Sequence, residues 1–130
     1  MKKENSRELV LSSGILALAG KNAESNEELV KQAGKDEYIL HTALPGSPFV
    51  NIKQEVKKTS KQDIKEAAIF CARYSQAWKK AKVKKDVIVD IFLGKDIFKL
   101  EGMKLGTFGV KKAKKILVKK EDIKEFEGKK

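Results

Sequence analysis

Apolar residues in this chain come in short runs, each bounded by glycine, proline or charge. Glu8–Lys21 reads ELVLSSGILALAGK, and its two apolar runs flank Ser12-Ser13-Gly14. That pattern predicts two short strands joined by a tight turn. Tyr38–Thr42 and Phe49–Lys53 are also strand-like, and they enclose Pro45-Gly46-Ser47-Pro48, a turn signal. Farther along, Val87–Leu93 is β-rich, and Ile97–Leu100, Thr107–Val110 and Ile116–Val118 are shorter strand candidates.

Two segments carry a helical period instead. Ser25 at the N-cap with Glu28 reaching back fits a capping box, so Asn26–Ala33 is predicted as a short helix closed by Gly34. A longer helix starts at Thr59 or Ser60 and is predicted to run to about Lys82. Its apolar stripe is Ile64, Ala68, Cys71, Ser75 and Trp78, at three- and four-residue steps. On that stripe Cys71 is expected to be buried and inert, and Trp78 to pack rather than stack on a ligand. The tail from Glu121 is charged and is expected to fray or form a loose helical turn. The elements together predict one α+β domain: a mostly antiparallel sheet with one long and one short helix.

Composition narrows the function classes. A chain of 130 residues is long enough for one core without staples. One cysteine excludes an internal disulfide and most metal sites. Neither a GxxxxGK[ST] loop nor a GxGxxG fingerprint is present. With one histidine, acid–base catalysis would rest on His41 or a perturbed carboxylate, and nothing assembles the groups a catalytic site needs. The expectation is a non-catalytic protein without cofactor or metal. No apolar leader follows Met1 and no apolar stretch is long enough to span a membrane, so the expected setting is cytoplasmic.

Charge is distributed unevenly. Of the net +11, residues 1–56 supply 7 Lys+Arg against 8 Asp+Glu, and residues 57–130 supply 22 against 10. A basic excess in one half points to a polyanionic partner, with nucleic acid or the ribosome first and an anionic membrane surface second. A generally lysine-rich proteome would give the same excess, since 27 of the 29 cationic residues are lysine.

Several short motifs sharpen this picture. Gly20-Lys21-Asn22-Ala23 with Asn26-Glu27-Glu28-Leu29 resembles the GRNAxxNdxL motif of the NFACT-R domain, the C-terminal RNA-binding domain of NFACT proteins of the RqcH and NEMF type. His41-Thr42-Ala43-Leu44-Pro45-Gly46-Ser47 is similar to that family's HaxxxPGSh stretch. Glu66-Ala67-Ala68 through Tyr74-Ser75-Gln76-Ala77-Trp78-Lys79 is similar to its eAa…ySkAWk helix. Lys104-Leu105-Gly106-Thr107-Phe108 is similar to its kPGtv turn, which carries the match to about Val118. The domain is therefore read as residues 1–120, followed by a charged tail over 121–130. Three positions depart from the pattern. Lys21 stands where arginine is usual and cannot form a bidentate fork to phosphate. Pro48 replaces a common histidine, and Leu105 a common proline.

The resemblance implies a stand-alone RNA-binding module for structured RNA such as tRNA or rRNA, in translation or ribosome-associated quality control. It also leaves open an adaptor that presents tRNA to a modifying enzyme. A protein-interaction module docking an acidic partner is a separate reading of the basic face. The candidate RNA-binding residues are Gly20, Lys21, Asn22, Asn26, His41, Gly46, Ser47, Arg73, Lys79, Lys80, Lys82, Lys84 and Lys85. Backbone N–H groups at the Gly20-Lys21-Asn22 junction can bind phosphate, or the segment can be an ordinary turn. Asn26 can simply support the helix start. Lys79, Lys80, Lys82, Lys84 and Lys85 form either a phosphate-binding rim or a solvated face. His41 bonds either RNA or its own turn. The second cluster, Lys111 to Lys120, extends the RNA surface or guards an edge strand.

Overall fold

A computed structural model describes residues 6–129. Among these, eight strands and four α-helices follow one another along the chain. They are β1 (Ser6–Val10), β2 (Leu16–Gly20), α1 (Ala23–Gln32), β3 (Glu37–Thr42), β4 (Val50–Glu55), α2 (Lys61–Arg73) and α3 (Gln76–Lys79). Then come β5 (Val87–Leu93), β6 (Ile97–Phe98), β7 (Gly109–Val110), β8 (Lys114–Val118) and α4 (Lys120–Gly128). Six strands form one sheet in the order β1-β2-β4-β3-β5-β8, with every neighbouring pair antiparallel. β6 and β7 make a separate small ribbon. The α+β class and the mostly antiparallel sheet agree with the sequence reading.

Alternation along the strands sends side chains to two different covers. Val87, Val89 and Ile91 of β5 pack on one face with Ala67, Ala68 and Cys71 of α2 and with Ile123 of α4. On the other face Phe92 packs with Ile39, Phe49 and the α1 residues Leu29 and Val30. Leu29 is fully enclosed, and burying such a side chain stabilises the fold by roughly 1.5–3 kcal/mol. Because α1 and the β6–β7 ribbon cover the second face only in part, a concave strip of sheet stays open between them.

Helix boundaries differ from the sequence expectation in instructive ways. α1 begins earlier than predicted: Asn22, not Ser25, is the N-cap. The Asn22 side chain accepts from the Ser25 N–H at 2.8 Å, and the Ser25 hydroxyl accepts from the Asn22 N–H at 3.0 Å. Ser25 is thus the third residue of the helix, and Ala33 rather than Gly34 caps the other end. α2 is capped by Ser60, with Asp63 completing the box. The long helix stops at Arg73 instead of reaching Lys82. Ser75 turns its hydroxyl back to the Ala72 carbonyl at 2.7 Å and caps the short α3. The Gln76 N–H, which a continuous helix would keep, goes to the Gly46 carbonyl at 2.7 Å. Finally, the segment expected to fray forms α4. Ile123 and Phe126 lie three residues apart on one side and pack against the α2 core.

Candidate functional site

The open strip of sheet is the floor of a cleft of about 540 Å³. His41 and Asp90 stand directly across from each other on β3 and β5, on the same face as Phe92. The His41 ring lies against Phe49 at 4.3 Å between centroids, and Phe108 meets Phe49 edge-on at 5.5 Å. The rim is cationic, with Arg7, Lys21 and Lys79 at the lip.

One wall is the junction of β2 and α1. Gly20 is required there: a Cβ would come within 1.9 Å of Asn26 Oδ1. That same oxygen accepts from the Phe49 N–H at 3.1 Å, so Asn26 joins α1 to the floor. Of the two readings of this junction, phosphate cradle or ordinary turn, the turn fits: the Lys21 and Asn22 N–H groups both donate to the Ser25 hydroxyl, at 2.7 and 3.0 Å. The exposed Lys21 side chain is what this wall offers to a ligand.

The Pro-Gly turn forms a second wall and is fastened on several sides. Gly46 has φ +90°, the conformation that a Pro-Gly turn needs at its second central residue. The buried Ser47 hydroxyl accepts from the Thr42 N–H at 2.9 Å and donates to the Pro48 carbonyl at 3.2 Å. His41 Nδ1 donates to the Thr42 carbonyl at 2.9 Å, which leaves Nε2 as an acceptor in the neutral ring. Burial lowers the His41 pKa below its ordinary 6.5, against the raising effect of the Thr42 carbonyl and the Asp90 charge. Beneath the turn, burial pushes the Cys71 thiol up to about 12, so it is inert as expected.

Tyr74 supports the lip. Arg7 and Arg73 place their guanidinium groups 4.1 and 4.8 Å from its ring centre, and the Lys79 ammonium lies 5.8 Å away. Arg73 also lies 2.9 Å from a Glu127 carboxylate oxygen, an ion pair whose N–H is misaligned for a hydrogen bond. Trp78 is 1 % exposed and donates from Nε1 to Glu127 at 3.2 Å, which makes it a core residue. Lys84 folds over the Trp78 ring and donates to the Trp78 carbonyl.

Of the sequence candidates, the fold gathers Gly20, Lys21, Asn22, Asn26, His41, Gly46, Ser47 and Lys79 around the cleft. Arg73, Lys80, Lys82, Lys84 and Lys85 do not line it. The sequence marks Lys104–Phe108 as a motif turn but assigns no site role to it, to Arg7 or to Asp90; residues 99–108 build a wall of the cleft. Glu27 organises that wall. It is 7 % exposed and accepts from the Gly106 N–H at 2.7 Å and from Lys99 at 3.0 Å. Burial opposes ionisation of Glu27, but these two donors prevail and hold its carboxyl below the ordinary range. Lys99 also donates to the Thr107 carbonyl at 2.9 Å and lies 4.6 Å from the Phe108 ring centre. The glycine-rich punctuation of this stretch was the available signal; the partner, Glu27, is too distant in sequence to be read from it. Among the described residues no group of His, Cys, Asp and Glu gathers as a metal site, and no helix is long and apolar enough to cross a membrane.

Comparison with known proteins places this geometry. The sequence model of the NFACT protein RNA binding domain matches residues 7–112. The archaeal Rqc2 homolog aRqcH of Methanocaldococcus jannaschii is 37% identical over 68 residues, which cover 52% of this chain and 10% of that protein. The C-terminal structure of the fibronectin/fibrinogen-binding protein of Streptococcus suis superposes with a TM-score of 0.79 at 27% identity. That match covers 96% of this chain and 50% of the streptococcal one. The chain thus spans only a part of each relative.

Proposed function

The chain belongs to the NFACT RNA-binding domain family, and from that premise we propose that it holds structured RNA, transfer or ribosomal, without catalysing a reaction on it. The observation that carries this reading is the cleft, whose rim presents Arg7, Lys21 and Lys79 above a floor in which the His41 and Phe108 rings are half-buried. Cations at the lip attract and position phosphates, while ring faces below accept bases. Gly20, Asn22, Asn26, Gly46 and Ser47 act by shaping the cleft, since their polar groups are engaged within the fold. Lys80, Lys82 and Lys85 lie exposed beyond the lip and extend the phosphate-binding surface. The setting that fits the family and the archaeal relative is translation, including quality control on the ribosome.

Binding to transfer RNA and ribosomal RNA fragments, measured across a salt series, tests this. The logarithm of the association constant should fall linearly with the logarithm of salt, because neutralised phosphates release counterions. Absent or salt-insensitive binding to all of them would overturn it.

A further inference from the structure

The cleft separates its charges by depth. Cations sit at the lip, whereas the floor carries a carboxylate, Asp90, beside His41. A phosphate finds its cations at the lip, since the Asp90 carboxylate at the floor already holds Lys115 in an ion pair. The floor is instead suited to a group with hydrogen-bond donors and a flat apolar body. Asp90 accepts from Lys115 at 2.9 Å through one oxygen, and a carboxylate keeps further acceptor sites. His41 has its Nδ1–H on the Thr42 carbonyl, so the neutral ring can only accept at Nε2. Two acceptors side by side, with the half-buried Phe108 ring near them, form a surface for the edge and the face of a nucleobase. The volume lies within the roughly 300–1,000 Å³ of small-molecule sites.

We infer that the cleft takes one unpaired nucleotide of the RNA. Its base lies against the Phe108 ring with its donor edge toward Asp90 and His41, and its phosphate lies between Lys21, Arg7 and Lys79. Guanine is the preferred base, because its N1–H and N2–H₂ groups supply adjacent donors, whereas uracil offers only N3–H. A duplex cannot enter in this way, since its bases keep those donors paired. This inference rests on the RNA-binding reading above and narrows it to a single-stranded element such as a loop or an end.

The full chain, isotope-labelled, would be titrated with short RNAs that carry guanine, adenine, cytosine, uracil or an abasic site at one central position. The guanine strand annealed to its complement and free guanosine monophosphate complete the set. His41 is the only histidine, so its ring signals report the floor unambiguously. The guanine strand should move those signals and bind about tenfold more tightly than the abasic strand, the worth of one stacked base. Asp90→Asn should remove the preference for guanine over uracil, and Lys115→Ala, which spares the carboxylate, should retain it. Movement of the same signals by the free mononucleotide would place the recognition in the nucleotide itself. Movement with the strands alone would place it in RNA context, and either outcome upholds the inference. Equal binding of single strand, duplex and abasic strand with unmoved His41 signals overturns it and leaves RNA binding standing. Failure of every RNA to bind overturns both.

Discussion

The guanidinium of Arg7 lies 4.1 Å from the centre of the Tyr74 ring. It joins the edge strand β1 to the end of α2 across 66 intervening residues. Arg73 shares the same ring, so both arginines of a chain with 27 lysines meet on one tyrosine. A planar guanidinium stacks where a hydrated ammonium does not. Tyr74→Leu should therefore lower unfolding stability in urea by about 1–2 kcal/mol, through the two cation–π contacts. A midpoint equal to that of the unaltered chain would show that the arrangement adds nothing.

The lysines should separate by position. Lys21→Glu with Lys79→Glu should weaken RNA binding by more than about tenfold and reduce the salt slope by about one for each phosphate no longer neutralised. Lys82→Glu with Lys85→Glu, farther from the cleft, should weaken it less. Thermal melting checks that both variants fold. Equal effects from the two pairs would mean that charge alone, and not the cleft, governs binding.

Glu27 should prove to be the anchor of the 99–108 wall. Glu27→Ala leaves the Gly106 N–H without its acceptor and removes the ion pair with Lys99, at a cost of about 1–3 kcal/mol. Amide hydrogen exchange at Gly106 should accelerate at least about tenfold, since that free energy is the one protecting the bond. Unchanged exchange would assign the wall's order to the β6–β7 ribbon instead.

Acid should destabilise the domain in two stages. His41 has a lowered pKa in the folded state because of burial, so the unfolded chain takes up its proton first. Stability therefore begins to fall as pH drops below 6.5. The carboxylates follow. The Ser13 hydroxyl holds Asp63 below its ordinary 3.8. Burial raises Glu37 and Glu66, but Lys53 and Gly34 on Glu37, and Ser12 and Gln62 on Glu66, bring both below 4.5. Their stabilisation is complete above those ordinary values and is lost as pH falls through the depressed ones. Urea midpoints measured from neutral pH to about pH 3 should show a shallow limb and then a steep one. His41→Gln should flatten only the first.

The sequence made the hairpins legible because each strand pair is local and its turn residues stand between the two runs. It misjudged the start of α1 because Asn22 and Ser25 are both good caps, and only three-dimensional closure shows which one receives the N–H. The break after Arg73 was hidden for a different reason. The apolar stripe continues through Ser75 to Trp78, and what ends the helix is the Gly46 carbonyl of a turn some 30 residues away. In the site, the motif residues were visible as a set, but their chemistry was not. Asn26 and Ser47 turn inward, while the acceptor Asp90 and the cation Arg7 belong to strands that lie outside the quoted motifs.

Glu127 receives the Trp78 indole and pairs with Arg73, so the last turn of α4 is tied to both sides of the α2–α3 break. In mechanical terms α4 is a strut. A load applied near its C-terminal end passes through Glu127 and Arg73 to Tyr74, and from there to the lip of the cleft. Anything attached at that end would set the attitude of the cleft rather than dangle from it.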